Sequence, residues 1–190
     1  MPKRVILLLA EGFEDVEAVT PADYLRRAGA EVVIAAVGGT KTVKSSRGLS
    51  VGADTTLAEL SAAGRLQAMH WDAVVVPGGM PGAANIAASV TAAGLLKDVF
   101  ASGRIVAAIC AAPAVVLAHH GIIAGRRFTC FPGMEKTVTG AHWSPDRVVV
   151  DGHLITSRAA GTAGEWSRMI IEKLLGKDAA DKVAAAVLLE

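Results

Sequence analysis

The chain has 190 residues, of which 52% are hydrophobic and 19% charged, and its 19 basic and 18 acidic side chains leave a formal net charge of +1. This composition excludes an intrinsically disordered chain and argues against charge-driven binding to nucleic acid or an anionic membrane. The length fits one domain spanning 1–190, and the longest apolar stretch, 105–118, is too short for a transmembrane helix. With two cysteines and no cleavable signal pattern, the sequence predicts a cytoplasmic protein with free thiols.

Short aliphatic runs alternate along the chain with longer stretches of helical spacing. The predicted strands are Val5–Leu9, Glu31–Val37, Ala73–Val76, Arg104–Ile109, Val148–Val150 and Leu154–Thr156. The predicted helices are Glu14–Ala28, Asn85–Ala101, Ala111–His120, Gly164–Leu175 and Asp178–Leu188. This alternation predicts an α/β fold, a doubly wound and mainly parallel sheet with helices on both faces. The Asp151-Gly152 pair favours a tight turn, which adds a small antiparallel ribbon.

Three carboxylates, Glu14, Asp15 and Glu17, gather where the first predicted helix begins. Negative charge is favoured at a helix N-terminus, and capping accounts for two of the three. The third carboxyl group, if it faces the edge of the sheet, would instead contact a reactive group there. When buried, it would keep its proton and could transfer that proton to the reactive group. The pattern of residues leaves open which of the three it is.

A glycine-rich segment, 77–82, follows the predicted strand Ala73–Val76. Its spacing matches neither a P-loop nor a dinucleotide fingerprint, so it does not predict a nucleotide site. Glycine N–H groups in such a turn can form half of an oxyanion hole, with the N–H of Ala111 as the other half. A tight turn without chemistry is the alternative.

Cys110 stands where an aliphatic strand ends and a helix begins. Pro113 fits the first turn of that helix, and the small neighbours Ala108 and Ala112 allow the sharp turn of a nucleophile elbow. Such a turn places the thiol at the carboxyl edge of the sheet, where the helix N-terminus is expected to lower its pKa. A buried core cysteine is the alternative.

Other polar residues carry weaker signals. Arg47 and Arg158 lie in short polar loops, where a solvated or bridging role is expected and anion binding is the alternative. None of the histidines adjoins Cys110 or has the neighbours of a metal ligand, so no metal site is predicted. The histidines are His70, His119, His120, His142 and His153.

Five motifs in one order resemble the ThiJ/PfpI superfamily, in particular the branch of the Parkinson-linked protein deglycase and bacterial YajL. They are EGFEDVE (11–17), VPGG (76–79), AAICAAP (107–113), TCFP (129–132) and TSRAAGT (156–162), and they span essentially the whole chain. The resemblance implies a flavodoxin-like sandwich, a homodimer, and no metal or organic cofactor. It also implies that Cys110 is the reactive cysteine, that Glu17 is its protonated partner, and that the N–H groups of Gly79 and Ala111 bind the anion.

The function implied is a slow, cysteine-dependent glyoxalase or deglycase of the hydrolase or lyase type. Its substrates would be methylglyoxal or glyoxal and their early adducts with proteins or nucleotides, which implies a small pocket and a role against carbonyl and oxidative stress. A redox-sensing stress chaperone with an oxidisable cysteine and little turnover is the alternative. No stable nucleic-acid or membrane partner is expected.

Two departures narrow the expected chemistry. The protease-like branch has a histidine directly after its cysteine, whereas this chain has Ala111, so a peptidase would lack its base. Many animal relatives carry a histidine where this chain has Phe131, so no proton transfer through that position is expected.

Overall fold

The computed structural model describes residues 1–189, which form a seven-stranded sheet, two small two-stranded sheets and the helices around them. The strands are β1 (Arg4–Leu9), β2 (Glu31–Ala36), β3 (Thr42–Lys44), β4 (Ser50–Gly52), β5 (Thr55–Thr56), β6 (Ala73–Val76), β7 (Ile105–Ile109), β8 (Arg127–Phe128), β9 (His142–Trp143), β10 (Val148–Asp151) and β11 (Leu154–Ser157). The α-helices are α1 (Asp15–Arg27), α2 (Leu57–Ala62), α3 (Gly82–Ala88), α4 (Val90–Ala101), α5 (Ala163–Leu175) and α6 (Lys177–Ala186). A π-helix covers Pro113–Ala118 after β7, and 3-10 turns cover Ala68–His70, Met134–Thr137 and Ala160–Thr162.

The order of strands in the large sheet is β10-β11-β7-β6-β1-β2-β5. Every neighbouring pair is parallel except β10 and β11, which are antiparallel and joined by the predicted Asp151-Gly152 turn. The prediction of a mainly parallel sheet with helices and a small antiparallel ribbon is confirmed.

The central strands are aliphatic throughout because both faces of the sheet are covered. In β1, Ile6 and Leu8 pack in a cluster with α2, α3 and α4. The alternate residues Val5, Leu7 and Leu9 pack in a second cluster with α1, α5 and α6. Parallel strands covered on both faces read as continuous apolar runs, which is why the sequence revealed them. Within residues 1–189, no helix has both the length and the apolar character needed to cross a membrane.

Two predicted helices differ from the structure. The predicted helix Asn85–Ala101 is two helices, α3 and α4, separated at Ser89. The hydroxyl of Ser89 accepts the N–H of Ala92 at 3.2 Å and so caps α4, a local bond that competes with a continuous helix. The predicted helix Ala111–His120 is regular only over Pro113–Ala118, with the wider turns of a π-helix.

An apolar groove of about 330 Å³ is lined by residues of α1, of the neighbouring strands β1 and β2, and of β4. The half-exposed Val19 lines it beside Leu7 and Leu9, and the charged residues Asp23 and Arg26 lie along it. Apolar residues flanked by charged ones are typical of the contact surface of a dimer. We therefore propose this groove as the contact surface of the homodimer that the resemblance implies.

We predict that Val19→Asp converts the protein from a dimer to a monomer at micromolar concentration, because it places a charge in the apolar contact. Light scattering measures the mass directly. The matched control is Val90→Asp, which adds the same charge at an exposed position of α4 and should leave the mass unchanged. A monomeric parent protein, or a Val19→Asp variant that stays dimeric, would contradict the prediction.

Candidate active site

The candidate site lies at the carboxyl ends of β1, β6 and β7, which are neighbours in the sheet. The chain after β1 enters α1 and carries Glu17, the turn after β6 contains Gly78 and Gly79, and β7 leads into Cys110. Crossover connections place the three segments side by side although they are distant in the sequence. The structure thus brings together four residues singled out from the sequence: Cys110, Glu17, Gly79 and Ala111.

The backbone of Cys110 has a φ of 63°, in the left-handed region that a side chain rarely adopts. This conformation costs about 1–3 kcal/mol and is held by neighbouring segments. The N–H of Cys110 donates to the carbonyl of Ser157 at 3.0 Å, and its carbonyl accepts the N–H of Phe131 at 2.8 Å. The turn therefore has the strained geometry of a nucleophile elbow.

Gly78 permits the close approach of the two reactive groups. A Cβ at this position would lie 2.7 Å from Cβ of Cys110 and 2.7 Å from Oε2 of Glu17, both well inside van der Waals contact. The Gly78 N–H instead donates to Oε2 of Glu17 at 2.9 Å. The role of Gly78 was not predicted from the sequence, although two glycines after a strand indicated the turn.

Glu17 is the carboxyl group that faces the cysteine, and only 1% of its surface is exposed. Glu14 has a different task, because its carboxylate caps α1 by accepting the N–H of Glu17 at 2.8 Å. Asp15 is the first residue of α1. The structure thus decides among the three carboxylates left open by the sequence.

Burial raises the pKa of Glu17 from its ordinary value of 4.5 to about 7, against the hydrogen bond to Cys110, which lowers it. Burial and then the neighbouring Glu17 raise the pKa of the Cys110 thiol from 9.0 to about 12. The expectation that the helix N-terminus would lower this pKa is therefore wrong, because burial and the adjacent carboxylate outweigh it. The two groups share one ionisation: the first proton leaves near pH 7, and the resulting charge opposes loss of the second.

The backbone N–H groups of Gly79 and Ala111 hydrogen-bond the sulfur of Cys110, which favours its ionised form. Glu17 receives further N–H groups from Gly78 and Ala160. The single negative charge of the pair is thus surrounded by backbone donors whichever group carries it. Such an arrangement can pass a proton between sulfur and carboxyl and can stabilise an anion that forms at the sulfur.

The pair opens into a pocket of about 410 Å³. Its lining residues are Glu14, Glu17, Ser46, Arg47, Gly79, Met80, Cys110, Phe131, Ala159 and Ala160. Four of these residues were not predicted from the sequence to belong to the site: Ser46, Met80, Ala159 and Ala160. The two alanines follow β11, the neighbour of β7, so their position could be inferred only once the strand order is known. The second cysteine, Cys130, is fully buried.

This architecture is shared with known proteins. The model of the DJ-1/PfpI family matches residues 3–173. The chain is 40% identical over 190 residues to protein dj-1beta of Drosophila melanogaster, covering 99% of this chain and 98% of that protein. It is 35% identical over 176 residues to the glutathione-independent glyoxalase DJR-1.2 of Caenorhabditis elegans, covering 92% and 89% respectively. A solved structure of oxidized Toxoplasma gondii DJ-1 superposes with a TM-score of 0.92 at 37% identity, covering 98% of each chain.

The shared ionisation predicts the pH dependence of thiol reactivity. Alkylation of Cys110 should stay slow through neutral pH and rise only in alkaline solution, because Glu17 loses the first proton near pH 7 and the thiol, with its pKa raised to about 12, keeps its own. Glu17→Gln removes the neighbouring charge that raises the thiol pKa, so the inflection should move to a lower pH than in the parent, while burial still holds it above 9.0, the ordinary pKa of a thiol. Mass spectrometry after brief alkylation reads both cysteines, and the buried Cys130 should be labelled more slowly and serve as the internal control. Faster labelling of Cys130, or an unchanged inflection in Glu17→Gln, would contradict the assignment.

The raised pKa of Glu17 also predicts a pH-dependent loss of stability. Below pH 4.5 the carboxyl is protonated in both the folded and unfolded states, and between 4.5 and about 7 only the unfolded chain ionises. The free energy of unfolding should therefore fall by about 3 kcal/mol across that window, relative to Glu17→Gln, and stay lower above it. Urea unfolding of both proteins at several pH values measures this difference.

Glu59 provides a control for the stability experiment, because the shift of its pKa has the opposite sign to that of Glu17. The pKa of the exposed Glu59 is lowered, chiefly by its hydrogen bond to Lys41. Its ionised form is therefore favoured by folding, so the parent should gain stability relative to Glu59→Gln as the pH rises through the titration range of that carboxyl. A difference between the parent and Glu17→Gln that does not vary with pH would show that Glu17 titrates normally.

Proposed function

This chain belongs to the DJ-1/PfpI family, and we propose that it is a cysteine-dependent glyoxalase acting on methylglyoxal or glyoxal. Deglycase action on the early adducts of these aldehydes with proteins or nucleotides is part of the proposal, since the same carbonyl chemistry serves both. The observation that carries it is the buried carboxyl of Glu17, which lies against Cys110 across Gly78 and lines a pocket together with it. A relative at 35% identity is named a glutathione-independent glyoxalase, which supports an enzymatic reading.

The first step is addition of Cys110 to the aldehyde carbon. A carbon–sulfur bond forms, the thiol proton passes to Glu17, and the carbonyl electron pair moves onto oxygen. In this proposal the N–H groups of Gly79 and Ala111, which favour the ionised sulfur, also stabilise the new oxyanion. Protonation of that oxygen by Glu17 gives a hemithioacetal.

The second step moves a proton from the former aldehyde carbon to the adjacent carbon, with Glu17 as the base that removes it and the acid that returns it. The product is a thioester of a 2-hydroxy acid on Cys110. Water then cleaves the carbon–sulfur bond and restores the thiol. The sum is addition of one water to methylglyoxal to give lactate, or to glyoxal to give glycolate, with no external oxidant or reductant.

Glu17 is the acid–base group on which this scheme depends. None of the histidines lines the pocket among the described residues, and Phe131 occupies the wall beside Cys110. A buried carboxyl with a pKa of about 7 is suited to both roles, because it gives and takes a proton readily near neutral pH.

A redox role is a second candidate, favoured by the same pair of residues. Peroxide oxidises a thiolate stepwise to sulfenate and sulfinate, and a protonated Glu17 would donate to a sulfinate oxygen. The superposed Toxoplasma gondii structure is described as oxidized. This candidate predicts peroxide-dependent change in the protein with little turnover of aldehyde.

We predict that the purified protein forms lactate from methylglyoxal without glutathione and that Cys110→Ser abolishes it. Loss of the acid–base group in Glu17→Ala should lower kcat/KM by about 10²- to 10⁴-fold. Phe131→His adds a second group able to transfer protons beside the sulfur and should raise the rate. The matched control is Cys130→Ala, which removes a thiol outside the pocket and should retain activity.

The outcomes separate the two candidates. An enzymatic assay for lactate that detects none with the parent protein would reject the glyoxalase and favour the redox role. Full activity in Glu17→Ala would show that the proton transfers take place elsewhere.

A further inference from the structure

Two large apolar side chains lie exposed beside the reactive pair and line the same pocket. Met80 is 53% exposed and Phe131 is 45% exposed. Met80 directly follows Gly79, whose N–H faces the sulfur, and the N–H of Phe131 donates to the carbonyl of Cys110 at 2.8 Å. The backbone hydrogen bond fixes Phe131 next to the nucleophile, and the chain places Met80 directly after Gly79. We call these two residues the apolar rim.

The charges of the pocket do not favour an anionic ligand. The pocket lining contains a basic side chain, Arg47, and its positive charge is balanced by the carboxylate of Glu14. Above about pH 7, the pair of Glu17 and Cys110 adds a further negative charge. The carboxylate of Glu14 is held in place because it caps α1. A substrate with a carboxylate or phosphate beside its carbonyl would meet net negative charge there, which disfavours it.

The volume exceeds what the smallest aldehydes need. A pocket of about 410 Å³ falls within the range that accommodates ligands much larger than methylglyoxal. Ala159 and Ala160 contribute small side chains to the wall and leave this space open. The exposed apolar surface of the rim would be removed from water by a substituent that fills the space.

We propose, resting on the function proposed above, that the apolar rim determines specificity and favours 2-oxoaldehydes with an uncharged alkyl or aryl substituent larger than methyl. The reaction is unchanged: the sulfur adds to the aldehyde carbon, and the substituent on the neighbouring carbonyl carbon packs against Met80 and Phe131. Each methylene that becomes buried there strengthens binding of the substrate and of the transition state alike.

The test is a series of alkylglyoxals from methyl to hexyl, in which the reacting carbons stay the same. We expect kcat/KM of the parent to rise by about two- to fourfold for each methylene added, until the chain outgrows the pocket. Phe131→Ala and Met80→Ala should each flatten this dependence on chain length. The matched control is Trp143→Ala, which removes another exposed aromatic side chain, 43% exposed and outside the pocket lining, and should keep the parent's dependence.

A second measurement does not require turnover. Cys110 should react faster with N-phenylmaleimide than with N-methylmaleimide, relative to the ratio for a free thiol, and Phe131→Ala should lower this preference toward the free-thiol ratio. Turnover without chain-length dependence, or a dependence that survives in both rim variants, would overturn the inference. If no alkylglyoxal is turned over but the maleimide preference depends on the rim, the proposed function fails while the apolar specificity of the pocket is supported.

Discussion

A carboxyl and a thiol that are buried against each other can carry only one negative charge between them, because a second charge would have neither water nor distance to relieve it. In this protein the pair is Glu17 and Cys110, and burial is the main reason that the pKa of each is raised. The surrounding backbone supplies N–H groups to both partners, from Gly78, Gly79 and Ala111 among others. These backbone donors, and the turns that position them, stabilise the single charge that the pair shares.

The backbone around the pair is strained, and hydrogen bonds from neighbouring segments stabilise the strained conformation. Cys110 adopts a left-handed φ of 63°, which an isolated chain would avoid, and Gly78 gives up any side chain. The hydrogen bonds from Cys110 to Ser157 and from Phe131 to Cys110 hold the strained residue from two sides. Because β7 is fully buried between β6 and β11, the turn at its end cannot relax without disturbing the core.

The pocket contains two kinds of residue, the polar groups proposed to react and the apolar side chains proposed to select the substrate. In the proposed reaction, the reactive pair and the N–H donors act on the atoms common to every 2-oxoaldehyde. Met80 and Phe131 lie beside them and would contact only the part of a ligand that varies. An apolar wall next to the pair also keeps water away from Glu17, which is consistent with burial as the leading cause of its raised pKa.

The sequence by itself determined the elements whose residues repeat one physical pattern over a sufficient length. β1, β6 and β7 were evident as aliphatic runs, and the turn at Cys110 was evident from small residues and a proline, because these signals are local. Tertiary structure alone decided what depends on segments distant in the chain. The separation of Glu17 from Glu14, the role of Gly78 and the inclusion of Ala159 and Ala160 in the pocket all follow from the order of strands, which no local pattern encodes. The direction of the pKa shift at Cys110 was decided in the same way, since the helix N-terminus is visible in the sequence, whereas the burial of the thiol and the neighbouring carboxyl of Glu17, which together outweigh it, arise only on folding.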